Sequence, residues 1–228
     1  MGIPRYLIVG EQQLVHICWR CHNKSNLLES SKVKDKMINL YFKHKDGYKI
    51  KIFAYAVLDN HFHMLAQVPN AEALGNYMRR VNSQLAKFIN KLYKRDSQVI
   101  RDRFKSPVIE DNNYLTKVLA YILLNRFKTN RKLTPDKDEY NSYYHLLKNT
   151  TYGKKLDSIS ELGLCKPGEE LSFLLQLLTV YMNKLVQNIH LFVQYCFQHP
   201  FAIGSSKFVE TVSQNIRAAI KGICFNSS

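Results

Sequence analysis

His61-Phe62-His63 sets two imidazoles two residues apart, between the alternating run Ile50 to Leu58 and the segment Met64-Leu65-Ala66-Gln67-Val68. Residues two apart on an extended strand project to one face, so the rings stand side by side. Two neutral imidazoles on one face make half of a divalent-metal site. The plainer alternative is a pair of histidines packed on a half-buried strand. A third donor must come from elsewhere in the chain, and Tyr121 with Asn125 is the best pair. Four residues apart in a helical stretch, they share a face. Asn125 could offer its carbonyl oxygen to a metal, while Tyr121 presents a phenol one turn away. With a pKa of about 10, a phenol is a poor nucleophile at neutral pH. A metal-polarised phosphodiester is easier to attack, and the resulting phosphotyrosine keeps the bond energy needed to rejoin a strand. Tyr114, Asn112 and Asn113, at the start of the same helix, compete for these roles.

The periodicity predicts elements that would hold these groups. Gln13 to Cys21 alternates and reads as a first strand. Ser30 to Lys43 carries Val33, Met37, Leu40 and Tyr41 at helical steps. Tyr48 to Leu58 and His61 to Val68 read as two strands joined in a hairpin. Glu72 to Leu92 is an amphipathic helix with Arg79 and Arg80 off its apolar stripe. Ser106 to Ile109 is a short extended piece, and one helix is expected from about Tyr114 to Lys128. This order implies an α+β domain, an antiparallel sheet with covering helices, over residues 1–135. A polar, tyrosine-rich connector over 136–168 and a helical C-terminal region over 169–228 follow, with long helices over 169–198 and 208–223.

Composition narrows the partner. The 228 residues carry 33 Lys+Arg against 18 Asp+Glu, a net charge of +15. Such an excess favours a polyanion, most often nucleic acid. Leu171 to Phe197, the most apolar long stretch, is interrupted by Gln176, Asn183, Lys184 and His190, and so argues against a membrane span. Without a signal-peptide layout at residues 1–6, a cytoplasmic protein is expected, nucleoid-associated through its binding of DNA. Five scattered cysteines do not suggest a disulfide framework. Cys18-Trp19-Arg20-Cys21-His22 matches a haem-attachment string, but its alternation places it on a strand, where cysteines are usually small buried groups.

Several ordered segments together resemble the REP-associated tyrosine transposases, a branch of the single-tyrosine HUH transposases. Val15 to Asn23 is similar to the family's first strand, and Ala56-Val57-Leu58-Asp59-Asn60-His61-Phe62-His63-Met64-Leu65 to its His–hydrophobic–His segment. Arg103-Phe104-Lys105-Ser106 resembles its basic stretch. Tyr114-Leu115 and Ala120 to Asn125 resemble its tyrosine helix. Tyr140 to Tyr144 and Ile203 to Val209 echo two later elements. The resemblance implies a ferredoxin-like fold and cleavage and rejoining of single-stranded or hairpin DNA. In it Tyr121 would be the nucleophile forming a 5′-phosphotyrosine, and His61, His63 and Asn125 would hold Mg²⁺ or Mn²⁺. Arg103 and Lys105 would contact the DNA backbone, as would Arg79 and Arg80, while Trp19 could stack on an unpaired base. A monomer and a homodimer are both compatible with it. Two positions depart from the family pattern: Asp59 replaces a proline before Asn-His, and Arg126 replaces the proline after the asparagine. Two other readings of the residues stand beside this one, a basic DNA-binding regulator that does not cleave and a metal nuclease that uses water.

Overall fold

A computed structural model describes residues 8–110, 112–187 and 202–225. The chain builds β1 (Gln13–Arg20), α1 (Ser31–His44), β2 (Lys51–Val57), β3 (His61–Val68), α2 (Ala71–Leu92) and β4 (Val108–Ile109). These give the strand order β2-β3-β1-β4 with every neighbouring pair antiparallel, the expected ferredoxin-like arrangement. A fifth strand, β5 (Ala202–Ile203), then pairs parallel with β4. The sheet is therefore mixed, and part of the region expected to be mainly helical completes its edge. Two residues are too short to show a period, so alternation could not reveal β5.

Alternation along the strands separates two faces. Val15, Ile17 and Trp19 of β1, with Phe62, Met64 and Ala66 of β3, face α1 and α2 in one core. The Asn70 side chain starts α2 by accepting from Ala73 N at 2.9 Å. The opposite face carries His16, Cys18, His63 and Leu65, and is covered by α3 (Asn112–Leu123) with Leu115, Leu119 and Ile122. Behind it lies α6 (Glu170–Gln187), which contributes Leu174 and Leu178 to the same core. Residues 188–198 of the helix expected there lie outside the described residues.

The helix expected over 114–128 is broken. It ends at Leu123, Leu124 turns out of helical geometry at φ −94° and ψ 4°, and α4 restarts at Asn125–Thr129. Asn141 Nδ2 donates to the Leu123 carbonyl at 2.7 Å, occupying an acceptor that a continuous helix would use. Asn141 belongs to the expected connector, which includes α5 (Ser142–Leu147) and covers the outer edge of β2. Val57 N donates to Tyr140 O at 3.0 Å, Tyr55 N to Ser142 Oγ at 3.0 Å and Ile52 N to Asp157 Oδ2 at 2.8 Å. An edge that would otherwise present open backbone groups is thereby satisfied. Among the described residues no helix is long and apolar enough to cross a membrane.

Candidate active site

Register brings the site together. In the β1–β3 ladder Cys18 lies opposite His63 and Arg20 opposite His61, so both imidazoles share a face with Cys18, Arg20 and, two residues back, His16. The His61 and His63 rings are 5.1 Å apart and perpendicular. Tyr121 of α3 comes down on the same face, its ring 5.4 Å from His63 and 6.0 Å from His16. Asn125, at the start of α4, lies beside His61, close enough for its side chain to act on the imidazole. The histidine pair, the tyrosine and the asparagine, separated by up to 64 positions in sequence (125 − 61), thus meet at one point.

Hydrogen bonds orient the rings. Asn60 Nδ2 donates to Lys24 O at 3.1 Å, which turns Asn60 Oδ1 toward His61 Nδ1, 2.6 Å away. That oxygen can only accept, so Nδ1 carries the proton and Nε2 keeps its lone pair. His63 Nδ1 lies 2.9 Å from His16 Nε2, so His16 orients His63 from behind. Burial holds the His61 imidazole down to about pKa 4, with Arg20 adding to the effect. Burial also brings His16 to about 4 and pushes His63 well below the usual range, His16 and His61 contributing. All three rings are neutral at pH 7.

The donor set fits a divalent cation. Asn125 is 4 % exposed, and its Nδ2 makes no hydrogen bond. With the amide turned so that its oxygen takes that buried position, a bound cation would supply the partner the atom lacks. A second group, His16, Cys18 and His63, has donor atoms within 4.8 Å of one another and could also hold a metal. Its thiol is raised to about pKa 11 by burial, against the pull of Lys105 and Arg20, so it must lose a proton to serve.

A cleft of about 450 Å³ opens over Tyr121, His61 and His63. Its walls carry Arg20, Arg101, Arg103, Lys105 and Lys128, against the carboxylate of Asp102. Backbone pairing puts the basic segment there. Lys105 and Cys18 exchange N–H to O bonds at 2.8 and 3.0 Å, Arg101 N donates to Arg20 O at 2.9 Å, and His16 N to Pro107 O at 3.1 Å. Arg103 and Lys105 therefore line the cleft beside Tyr121. Lys128 adds a cation 5.5 Å above the Tyr121 ring.

Two of the residues expected at DNA lie on another element, and a third is buried at the rim of the cleft. Arg79 and Arg80 are exposed on α2, which covers the other face of the sheet. Trp19 borders the cleft but is 5 % exposed, and its Nε1–H donates into the α1 layer, to Tyr41 Oη at 3.0 Å. Its ring is core and does not offer a stacking surface. His16, Arg20 and Lys128 carried a signal that was available in sequence. His16, Cys18 and Arg20 keep the period of two beside His61 and His63, but only the register tells which face they join.

The neutral, buried state of His16 has a consequence for the metal-free protein. Its folded pKa of about 4 lies below the ordinary 6.5. Between those values the unfolded chain binds more protons, so stability is full above about pH 6.5 and falls as pH drops toward 4. Melts between pH 7 and 4.5 should lose about 2–3 kcal/mol through this residue, and His16→Asn should make that limb shallower, leaving the share of His61 and His63. An equally steep acid limb in His16→Asn would remove His16 as its source.

Comparison with known proteins adds two findings. The family model described as "Transposase IS200 like" matches residues 11–133. The solved structure of a REP-associated tyrosine transposase bound to a REP hairpin is similar in fold, with a TM-score of 0.53 and 15 % identity over 61 % of this chain and 82 % of that one. None of the curated proteins matches the sequence.

Proposed function

The chain belongs to the IS200-like transposase family, and from that premise we propose that it is a metal-dependent DNA strand transferase with Tyr121 as nucleophile. The observation that carries this reading is the convergence of His61, His63 and Asn125 beside Tyr121 in a cationic cleft. Mg²⁺ or Mn²⁺ held by those three side chains would polarise the scissile phosphate and stabilise charge developing on it. Arg103, Lys105 and Lys128 would hold the neighbouring backbone phosphates and exclude alternative registers of the strand. Tyr121 Oη would form a bond to phosphorus as the phenol loses its proton. The bond to the 3′ oxygen breaks, and that oxygen leaves as a 3′ hydroxyl. The 5′-phosphotyrosine keeps the energy of the broken diester, so attack by another 3′ hydroxyl rejoins DNA without ATP. His16 does not touch the substrate in this scheme; it orients His63.

A single-stranded or hairpin DNA substrate is supported by the open cleft, the family, and the REP hairpin held by the similar structure. The test is covalent capture. Protein is mixed with 3′-end-labelled single-stranded hairpin oligonucleotides and Mn²⁺, then denatured. A labelled adduct that requires metal supports strand transfer. Cleavage without adduct moves the nucleophile to water, and tight binding without cleavage leaves a DNA-binding regulator.

Arg103→Ala and Lys105→Ala are expected to weaken DNA binding across sequences alike, and each to lower the slope of log affinity against log salt by about 1. Binding titrations at several salt concentrations measure this. An unchanged slope in both variants would remove them from the phosphate path.

A further inference from the structure

The two positions at which the sequence departs from the related pattern, Asp59 and Arg126, meet in space. Arg126 Nη1 donates to Asp59 Oδ2 at 2.8 Å and Nη2 to Asp59 Oδ1 at 3.1 Å, a two-pronged pair. Arg126 Nη2 also reaches the Val57 carbonyl at 3.4 Å. From the opposite helical layer, Lys34 of α1 adds a bond to Asp59 Oδ1 at 2.6 Å. The Lys34 and Arg126 side chains are 5 % and 15 % exposed, against 36 % for Asp59. These are not loose surface pairs of the kind that contribute little.

Their location gives the network its consequence. Asp59 lies in the turn that leads into β3, two residues before His61, and its carbonyl accepts from Leu28 N at 2.9 Å. Asn60, the next residue, holds the His61 ring. Arg126 directly follows Asn125, at the start of the five-residue helix α4, just after the break at Leu124. So short a helix has few internal hydrogen bonds to hold its direction. A proline would restrain either backbone position covalently by locking φ. Here a charged fork does so across space, with the planar geometry that a guanidinium and a carboxylate impose.

We propose that Lys34, Asp59 and Arg126 form a clamp that positions Asn125 against His61, and so sets the donor geometry for the divalent cation. All three are positioning residues, touching neither substrate nor metal. The inference deepens the proposed strand-transfer reading and rests on it for the identity of the donors. It does not depend on Tyr121 being the nucleophile.

Mn²⁺ affinity of the full chain, measured calorimetrically, gives the first readout. Asp59→Ala and Arg126→Ala are each expected to weaken Mn²⁺ binding about 10–100-fold, the usual cost of losing a group that orients a ligand. The double variant should lose little more than either single one, because the pair acts as a unit. Asp59→Glu should recover part of the affinity. A second readout needs no metal: carbethoxylation of His61, followed by peptide mass mapping, should be faster in both Ala variants. Cooperative melts confirm that the variants are folded. Wild-type affinity with unchanged His61 reactivity, or losses that simply add in the double variant, would overturn the clamp. Failure of the wild-type protein to bind Mn²⁺ would count against the metal-site reading, while His61 reactivity would still decide the clamp.

Discussion

Tyr121→Phe is expected to abolish the DNA adduct, a loss on the order of 10³-fold or more, while leaving the protein folded and able to bind DNA. The change removes one oxygen and nothing else. The ring, 5 % exposed, keeps its edge contacts with His63 and His16 and its place under Lys128. Packing in the core beneath α3 is therefore preserved, and the cations that line the cleft are untouched. Denaturing gels of metal-treated reactions read the adduct, and filter binding reads affinity. An adduct persisting in Tyr121→Phe would transfer the role to another nucleophile, with Tyr114 the first to test. Metal-dependent hydrolysis at the wild-type rate in the variant would make water the nucleophile and Tyr121 a packing residue.

His61→Ala and His63→Ala are both expected to eliminate detectable cleavage and Mn²⁺ binding, but their costs to folding differ. His61 is half-buried at the cleft, and its structural partner is Asn60. Its loss should cost about 1 kcal/mol. His63 is 4 % exposed and bonded to His16, which is fully buried. Removing it leaves a cavity and deprives His16 of that bond, at about 2–4 kcal/mol. Denaturant melts beside the cleavage assay separate the effects. His61→Ala should therefore fold with little loss, and His63→Ala with a clear one. Normal cleavage by His61→Ala would remove the histidine pair from the chemistry. Equal stability losses in the two variants would contradict the buried His16–His63 pairing.

Much of the architecture was legible because it is written in local periodicity. Alternation over Gln13–Arg20 and His61–Val68, and three- and four-residue steps over Ala71–Leu92, come from burying one face of each element. The strand and helix order then leaves few arrangements, and the ferredoxin-like sheet is one of them. The break at Leu124 was not legible. It depends on the Asn141 side chain, eighteen residues away in sequence, bonding to Leu123 O. Whether Trp19 belongs to the cleft or to the core was not legible either, because a strand pattern does not say which face a helix will cover.

By itself, the sequence determined the element order, the basic character and the shared face of His61 and His63, all of which follow from composition and from periods of two or 3.6. The ordered motifs also carried the family resemblance, which the family match to residues 11–133 bears out. Tertiary structure decided what depends on register and long-range contact. It set Cys18 against His63 and His16 behind it, and drew the basic segment beside β1 through backbone bonds. It also joined Asp59 to Arg126 across 67 positions. Such pairings leave no local period, because their partners are chosen by how two helical layers close over the end of one sheet.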